Sequence, residues 1–145
     1  MSVIAWDGSV LAADKRTTSS GLRHTCTKIE KHNNQLYGIT GTWDVGIEMR
    51  EWHKAGADPE KFPAKAREDK ATLIVINDKG INVYDAAPYP MIYEDKCAAW
   101  GSGRDFAEAV MFLGRGAVEA VRIACHFAID CGDGCDMLRL DPLPF

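Results

Sequence analysis

The apolar segments of this chain come in blocks, and that ordering limits its folds more than any single motif. Strand-like runs fall at residues 3–6, 9–14, 25–32 and 35–40, and after Gly41 a helix of about 12 residues follows, with Thr42 as N-cap and Val45, Ile47, Met49 and Trp52 as its apolar positions. Strands return at 71–77, 81–85, 91–93 and 97–100, then two helices at 104–113 and 117–129, then a last strand at 137–140. Asp7-Gly8, Asn33-Asn34 and Asp78-Lys79-Gly80 supply the turns that join neighbouring strands as hairpins. The polar stretch 15–24 reads as a loop, and 56–63 as a loop or a short helical turn. Strands grouped in this way pair antiparallel rather than through βαβ crossovers, and grouped helices cover the outer faces of two sheets. The expected fold class is α+β, a four-layer αββα sandwich of two antiparallel sheets. At 145 residues the chain reads as one domain, 1–145, long enough to bury a core without staples.

Composition excludes several roles. Hydrophobic residues make up 46% and charged residues 26%, an ordinary globular balance that argues against disorder. A net charge of -4 offers no basic face for nucleic acid. No apolar run approaches the roughly 20 residues of a membrane helix. Residues 1–6 lead straight into Asp7-Gly8, with neither the basic nor the long apolar region of a signal peptide, so the expected location is the cytoplasm. The five cysteines, Cys26, Cys97, Cys125, Cys131 and Cys135, are odd in number and irregular in spacing, which predicts free thiols. The four tryptophans read as core or interface residues.

Ser2 follows a methionine that is commonly trimmed before a small residue. A serine exposed in this way carries a hydroxyl and an amine on one Cα. An α-amine titrates near pH 8, so part of it is neutral at pH 7 and can take the hydroxyl proton. Asp14-Lys15-Arg16 follows a strand, and Lys28 lies in Thr27-Lys28-Ile29. Beside Ser2, a lysine held by Asp14 would lower the pKa of the hydroxyl through its charge. Gly38-Ile39-Thr40-Gly41 ends a strand where a helix begins, leaving a backbone N–H free for an oxyanion. Gly101-Ser102-Gly103 also joins a strand to a helix, and Asp130-Cys131-Gly132-Asp133-Gly134 follows the last helix. Alone, each of these is ordinary turn chemistry.

Together and in this order they are not ordinary. A hydroxyl residue near the start, then V-L-A-A-D-x-R, T-K-I, G-I-T-G, G-S-G before a helix and D-C-G-D-G after the next resemble the proteasome β-subunit family. The resemblance runs from Ser2 to about Asp136, and is similar to HslV-type peptidases and to short stand-alone bacterial or phage proteasome-like proteins. The family belongs to the N-terminal nucleophile hydrolases, whose fold is the αββα sandwich. The resemblance implies that Ser2 is the nucleophile, Lys28 the active-site lysine, and Asp14 and Arg16 the charged pair that supports it. It implies that the Gly41 N–H stabilises the oxyanion and that Ser102 and Asp130 lie near the α-amine of Ser2. It further implies peptide or protein substrates, a homo-oligomeric ring, an ATPase unfoldase as partner, and chemistry that needs no metal or cofactor.

Two departures from the family matter. Serine stands for threonine, so the β-methyl that restricts χ1 is absent. Asp133 falls where a serine is usual, and its charge would raise the pKa of the amine. These departures motivate an alternative: a catalytically inactive proteasome-like structural or assembly protein. A third reading, a zinc module built on Cys125, Cys131 and Cys135, lacks any C-x-x-C pair. The carbonyls around Asp130–Asp133 could at most hold a monovalent cation weakly.

Overall fold

In the computed structural model, which describes residues 2–142, the chain runs through β1 (Ile4–Trp6), β2 (Leu11–Asp14), β3 (Arg16–Ser19), β4 (Leu22–Thr25), β5 (Ile29–His32) and β6 (Gln35–Gly41). Helix α1 (Trp43–Lys54) and two 3-10 turns, Pro59–Lys61 and Ala64–Glu68, come next. They are followed by β7 (Ala71–Asn77), β8 (Gly80–Tyr84), β9 (Met91–Tyr93), β10 (Ala98–Trp100), α2 (Arg104–Phe112), α3 (Ala117–Phe127) and β11 (Cys135–Leu138). The fold is mixed α and β, with antiparallel sheets, as the block order of the sequence implies. The chain divides into two compact units: Met1–Glu30 with Asp95–Phe145, and Lys31–Glu94. No helix among the described residues is long and apolar enough to cross a membrane.

The first unit holds a four-stranded sheet of order β10-β1-β2-β11, antiparallel throughout. Strand β1 is buried at every residue, which explains its continuous apolar run. Val3 and Ala5, two apart, face α2 and α3 together with Ala12 and Ala99. The helices answer with Ala107, Ala117, Ala120, Val121 and Ala124, all fully buried. Alanine against alanine lets helix and sheet approach closely, and added methylenes there would cost about 1–3 kcal/mol. Asp7 ties this unit together. Its Oδ1 accepts the N–H groups of Ser9 and Val10, each at 2.8 Å, closing the β1–β2 turn, and its Oδ2 accepts the first N–H of α3, from Ala117, at 2.8 Å.

The stretch 15–24, read from the sequence as a loop, is instead mostly a hairpin, β3–β4, with Arg16 paired to Thr25 and Ser19 to Leu22. Ser20 and Gly21 form its two-residue turn at φ 50° and 80°. Both faces from Thr17 to Thr25 are exposed, so no apolar alternation marks the strands. The strand expected at 25–32 is accordingly shorter: Thr25 closes β4 and pairing resumes only at Ile29. The last strand begins at Cys135, two residues earlier than its apolar positions imply, because it pairs Cys135 with Asp14 and Leu138 with Leu11.

The second unit holds strands β6 to β9, antiparallel in the order β6-β7-β8-β9. Helix α1 and the turn at Ala66 cover one face, with Val45, Met49 and Trp52 packed on Tyr37, Ile39, Leu73 and Val75. Any side chain at Gly46 would run into Ile39, so α1 sits directly on β6. Thr42 occupies the N-cap position of α1, but its side chain makes no capping hydrogen bond; its N–H donates to the Lys70 carbonyl at 2.8 Å. Trp6, Trp52 and Trp100 are buried, whereas Trp43, the first residue of α1, is 40% exposed.

Candidate active site

Sheet register assembles the first unit's polar cluster. Strand β1 lies between β10 and β2, pairing Ile4 with Trp100 on one side and Ala13 on the other. One step further, the segment before β1 runs beside Asp14 on β2 and beside the turn that follows β10. The backbone bonds continue accordingly: Asp14 N–H donates to the Val3 carbonyl at 3.2 Å, and Gly103 N–H to the Ser2 carbonyl at 3.1 Å.

Ser2 is 3% exposed. Its carbonyl also accepts the Ser102 hydroxyl, at 3.3 Å. Gly101, at φ 94°, lets the backbone turn onto Ser2; a Cβ there would meet the Ser2 carbonyl oxygen and come within 2.8 Å of its Oγ. Gly103 is equally confined, since a Cβ would lie 2.9 Å from the Val3 Cβ and 3.2 Å from the Cys131 Sγ. The G-S-G turn is therefore a seat for Ser2, built from two glycines that only close approach explains.

Asp14 is fully buried, and donors reach both of its oxygens. Oδ1 accepts the Val3 N–H at 3.0 Å and the Lys28 ammonium at 2.9 Å. Oδ2 accepts the Gly132 N–H at 3.0 Å and the Arg16 N–H at 3.3 Å. Lys28 comes from the segment just before β5, and its side chain is 5% exposed. The Lys28 ammonium and the peptide nitrogen joining Ser2 to Val3 thus meet at one oxygen atom.

Arg16 reaches the loop after α3. Its Nε and Nη2 bind the two oxygens of Asp133 at 3.1 and 3.3 Å, and Nη1 donates to the Ile129 carbonyl at 2.6 Å. The hydrogen bond from Arg16 holds the Asp133 carboxyl below its usual range, and that from Asp133 raises the guanidinium in turn. The negative charge that the sequence adds at 133 is therefore matched by Arg16. Asp130 lies half-buried in the same loop, and its role toward an amine on Ser2 rests on the resemblance alone. Gly41 ends β6 in the second unit at φ 90°; a side chain there would lie 2.6 Å from the Lys70 carbonyl.

Of the late cysteines, Cys131 is buried and Cys125 and Cys135 are half-buried, all as free thiols. Burial pushes Cys125 up to about 12 and raises Cys131 and Cys135. Among the described residues no three His, Cys, Asp or Glu side chains stand together as a metal site, so the zinc reading gains no support from geometry.

Of the residues singled out in the sequence, Ser2, Asp14, Arg16, Lys28 and Ser102 converge within the first unit. The sequence shows Gly101, Gly132, Arg16 and Asp133 only as parts of motifs, and neither the close approach at the two glycines nor the Arg16–Asp133 pairing is read from it. Turn glycines are common, and only the crowding around these two distinguishes them.

Comparison with solved structures bears on this arrangement. Eukaryotic HslV from Trypanosoma brucei superposes with a TM-score of 0.71 at 19% identity, over 94% of this chain and 97% of that one. The fold is that of HslV. BPH from Thiobacillus denitrificans superposes with a TM-score of 0.68 at 18% identity over 98% of this chain and 100% of that one. A second BPH structure, in complex with epoxomicin, gives 0.66 at 16% identity over 97% of this chain and 99% of that one. No family model and no curated protein matches the chain.

Proposed function

We propose that the protein is an N-terminal serine peptidase of the proteasome/HslV type, hydrolysing peptide bonds through an acyl-enzyme. The observation that carries this reading is the Lys28–Asp14 pair, which meets the Ser2–Val3 peptide at a single carboxylate oxygen. The HslV fold over nearly the whole chain supports it.

In this reading, removal of Met1 converts the Ser2 amide into an amine. The Ser2 Oγ attacks the substrate carbonyl while its proton passes to that amine, and the nearby ammonium of Lys28 favours the developing alkoxide. The tetrahedral intermediate collapses as the C–N bond breaks, and the amine returns the proton to the departing peptide nitrogen. Water then hydrolyses the Ser2 ester by the same route. The roles that the resemblance gives to Gly41, at the oxyanion, and to Ser102 and Asp130, at the amine, belong to this proposal. So do a homo-oligomeric ring, an ATPase unfoldase partner and a weakly held monovalent cation near Asp130–Asp133. The chemistry as proposed uses no metal or cofactor.

Intact mass decides the first step: the purified chain is expected to lack Met1. Epoxomicin, bound in one BPH structure, is then expected to add one equivalent to the wild type and none to Ser2→Ala, with circular dichroism confirming that the variant is folded. Retained Met1, or equal labelling of a folded Ser2→Ala chain, would overturn the reading. Native mass measures the ring.

A further inference from the structure

The loop after α3 delivers the Gly132 N–H to Asp14 on an irregular backbone. Gly132, Asp133 and Gly134 all have positive φ, at 153°, 62° and 111°. Asp133 takes the left-handed conformation without being glycine, a backbone that Asp and Asn tolerate better than other side chains. Cys131 anchors the start of the loop in the core, but beyond it a cavity of about 280 Å³ lies between residues 132–135 and Val121, Arg122 and Cys125 on α3. Over Gly132 and Asp133 the contacts are polar. One is the Lys15 N–H on the Gly132 carbonyl at 3.0 Å. Another is the Arg16 guanidinium, forked on Asp133 and bonded to Ile129. That guanidinium lies against Gly132 so closely that a Cβ there would be 2.6 Å from Nη2.

The consequences run inward. Oδ2 of Asp14 is oriented by two donors, Gly132 N–H and Arg16 N–H, and both belong to residues that this clamp fixes. With Oδ2 fixed in this way, Oδ1, which also takes the Val3 N–H, faces the Lys28 ammonium. We propose that Asp133 is a positioning residue for Lys28, acting through Arg16 and the Gly132 N–H on Asp14. Its effect on catalysis rests on the function proposed above; its effect on geometry does not. Side-chain pairing between a β3 residue and this loop replaces the neutral residue usual at the position, and so turns a departure from the family pattern into part of the site's support.

The test uses the full chain with Asp133→Asn, which keeps the residue's size and its tolerance of left-handed backbone but removes the charge. Loss of the clamp is expected to speed amide hydrogen exchange at Gly132 by about tenfold or more, and to shift or broaden the Lys28 ammonium signal in NMR. Arg16→Lys, which keeps a charge but not the fork, is expected to do the same, and Asp133→Glu to recover part of the wild-type behaviour. Reaction with a peptide vinyl sulfone is expected to slow in parallel. Unchanged Gly132 exchange, or faster exchange with an unmoved Lys28 signal, overturns the proposal. A wild-type chain inert to the electrophile overturns the proposed function instead, and exchange and NMR still decide the clamp. If Asp133→Asn does not fold, Arg16→Lys and Asp133→Glu carry the comparison.

Discussion

Lys28 donates its ammonium proton at 2.9 Å to Asp14, a carboxylate with no exposed surface that also takes three main-chain N–H groups. The pair is asymmetric. Asp14 is satisfied largely by backbone, whereas Lys28 is there to balance its charge.

Removing one partner should therefore cost more than removing both charges. Lys28→Met leaves a buried carboxylate without its counter-charge and is expected to destabilise the chain by about 3–5 kcal/mol, whereas Lys28→Met with Asp14→Asn should recover a large part of that loss. Urea denaturation of the single and double variants measures the difference. Additive costs would show that the two side chains are not coupled.

Gly101→Ala is expected to be disproportionately damaging for an added methyl group. The substitution combines a left-handed backbone, at φ 94°, with a clash against Ser2. These effects together are worth about 2–4 kcal/mol. A melting temperature within a degree of wild type would contradict the close approach.

Asp7→Ala should unfasten the start of α3 together with the β1–β2 turn, at a cost of about 1–2 kcal/mol. Burial pushes the Asp7 carboxyl up, but the N–H groups of Ala117, Val10 and Ser9 outweigh it, and the net shift is downward. A depressed folded value means that the stabilisation is present above about pH 4, the unfolded value, and is lost as the pH falls through the folded one. The wild type should thus lose stability below pH 4 relative to Asp7→Ala, a convergence that denaturation curves across this window would reveal.

His53 gives the second unit a separate pH response. Its Nδ1 lies 2.9 Å from the Tyr37 hydroxyl, and burial lowers its pKa. The unfolded chain takes up this proton near pH 6.5 and the folded chain only at lower pH, so stability is full above about pH 6.5 and declines as the pH falls through the folded value. His53→Gln is expected to flatten the loss of stability between pH 7 and pH 5. Parallel curves for the two proteins would rule out His53 as the source.

Much of the fold was legible because it obeys local rules. The Asp7-Gly8 turn, the apolar run of β7 and the alanine-rich stripe of α3 each carry a period or a turn signal that a single sequence displays. The β3–β4 hairpin was not legible, because its strands bury neither face. In the first unit's polar cluster, Ser2, Asp14 and Lys28 stood out only through a motif order that resembles a known family's. The Arg16–Asp133 fork was not, since 117 positions separate its partners and a fork depends on how a loop turns, which hydrophobic pattern does not encode. In sequence Asp133 reads as an unbalanced charge, and the fold supplies Arg16 as its partner.

The split of the first unit across the chain has a consequence for its birth on the ribosome. The second unit, Lys31–Glu94, is one continuous stretch and can condense while translation continues. The first needs β10 and β11, which emerge after the second unit, to flank β1 and β2, which emerge before it. Until those closing strands arrive, a nascent polypeptide has neither the glycine seat around Ser2 nor the loop that orients Asp14. The reactive centre proposed for this protein is thereby withheld until β11 has left the ribosome.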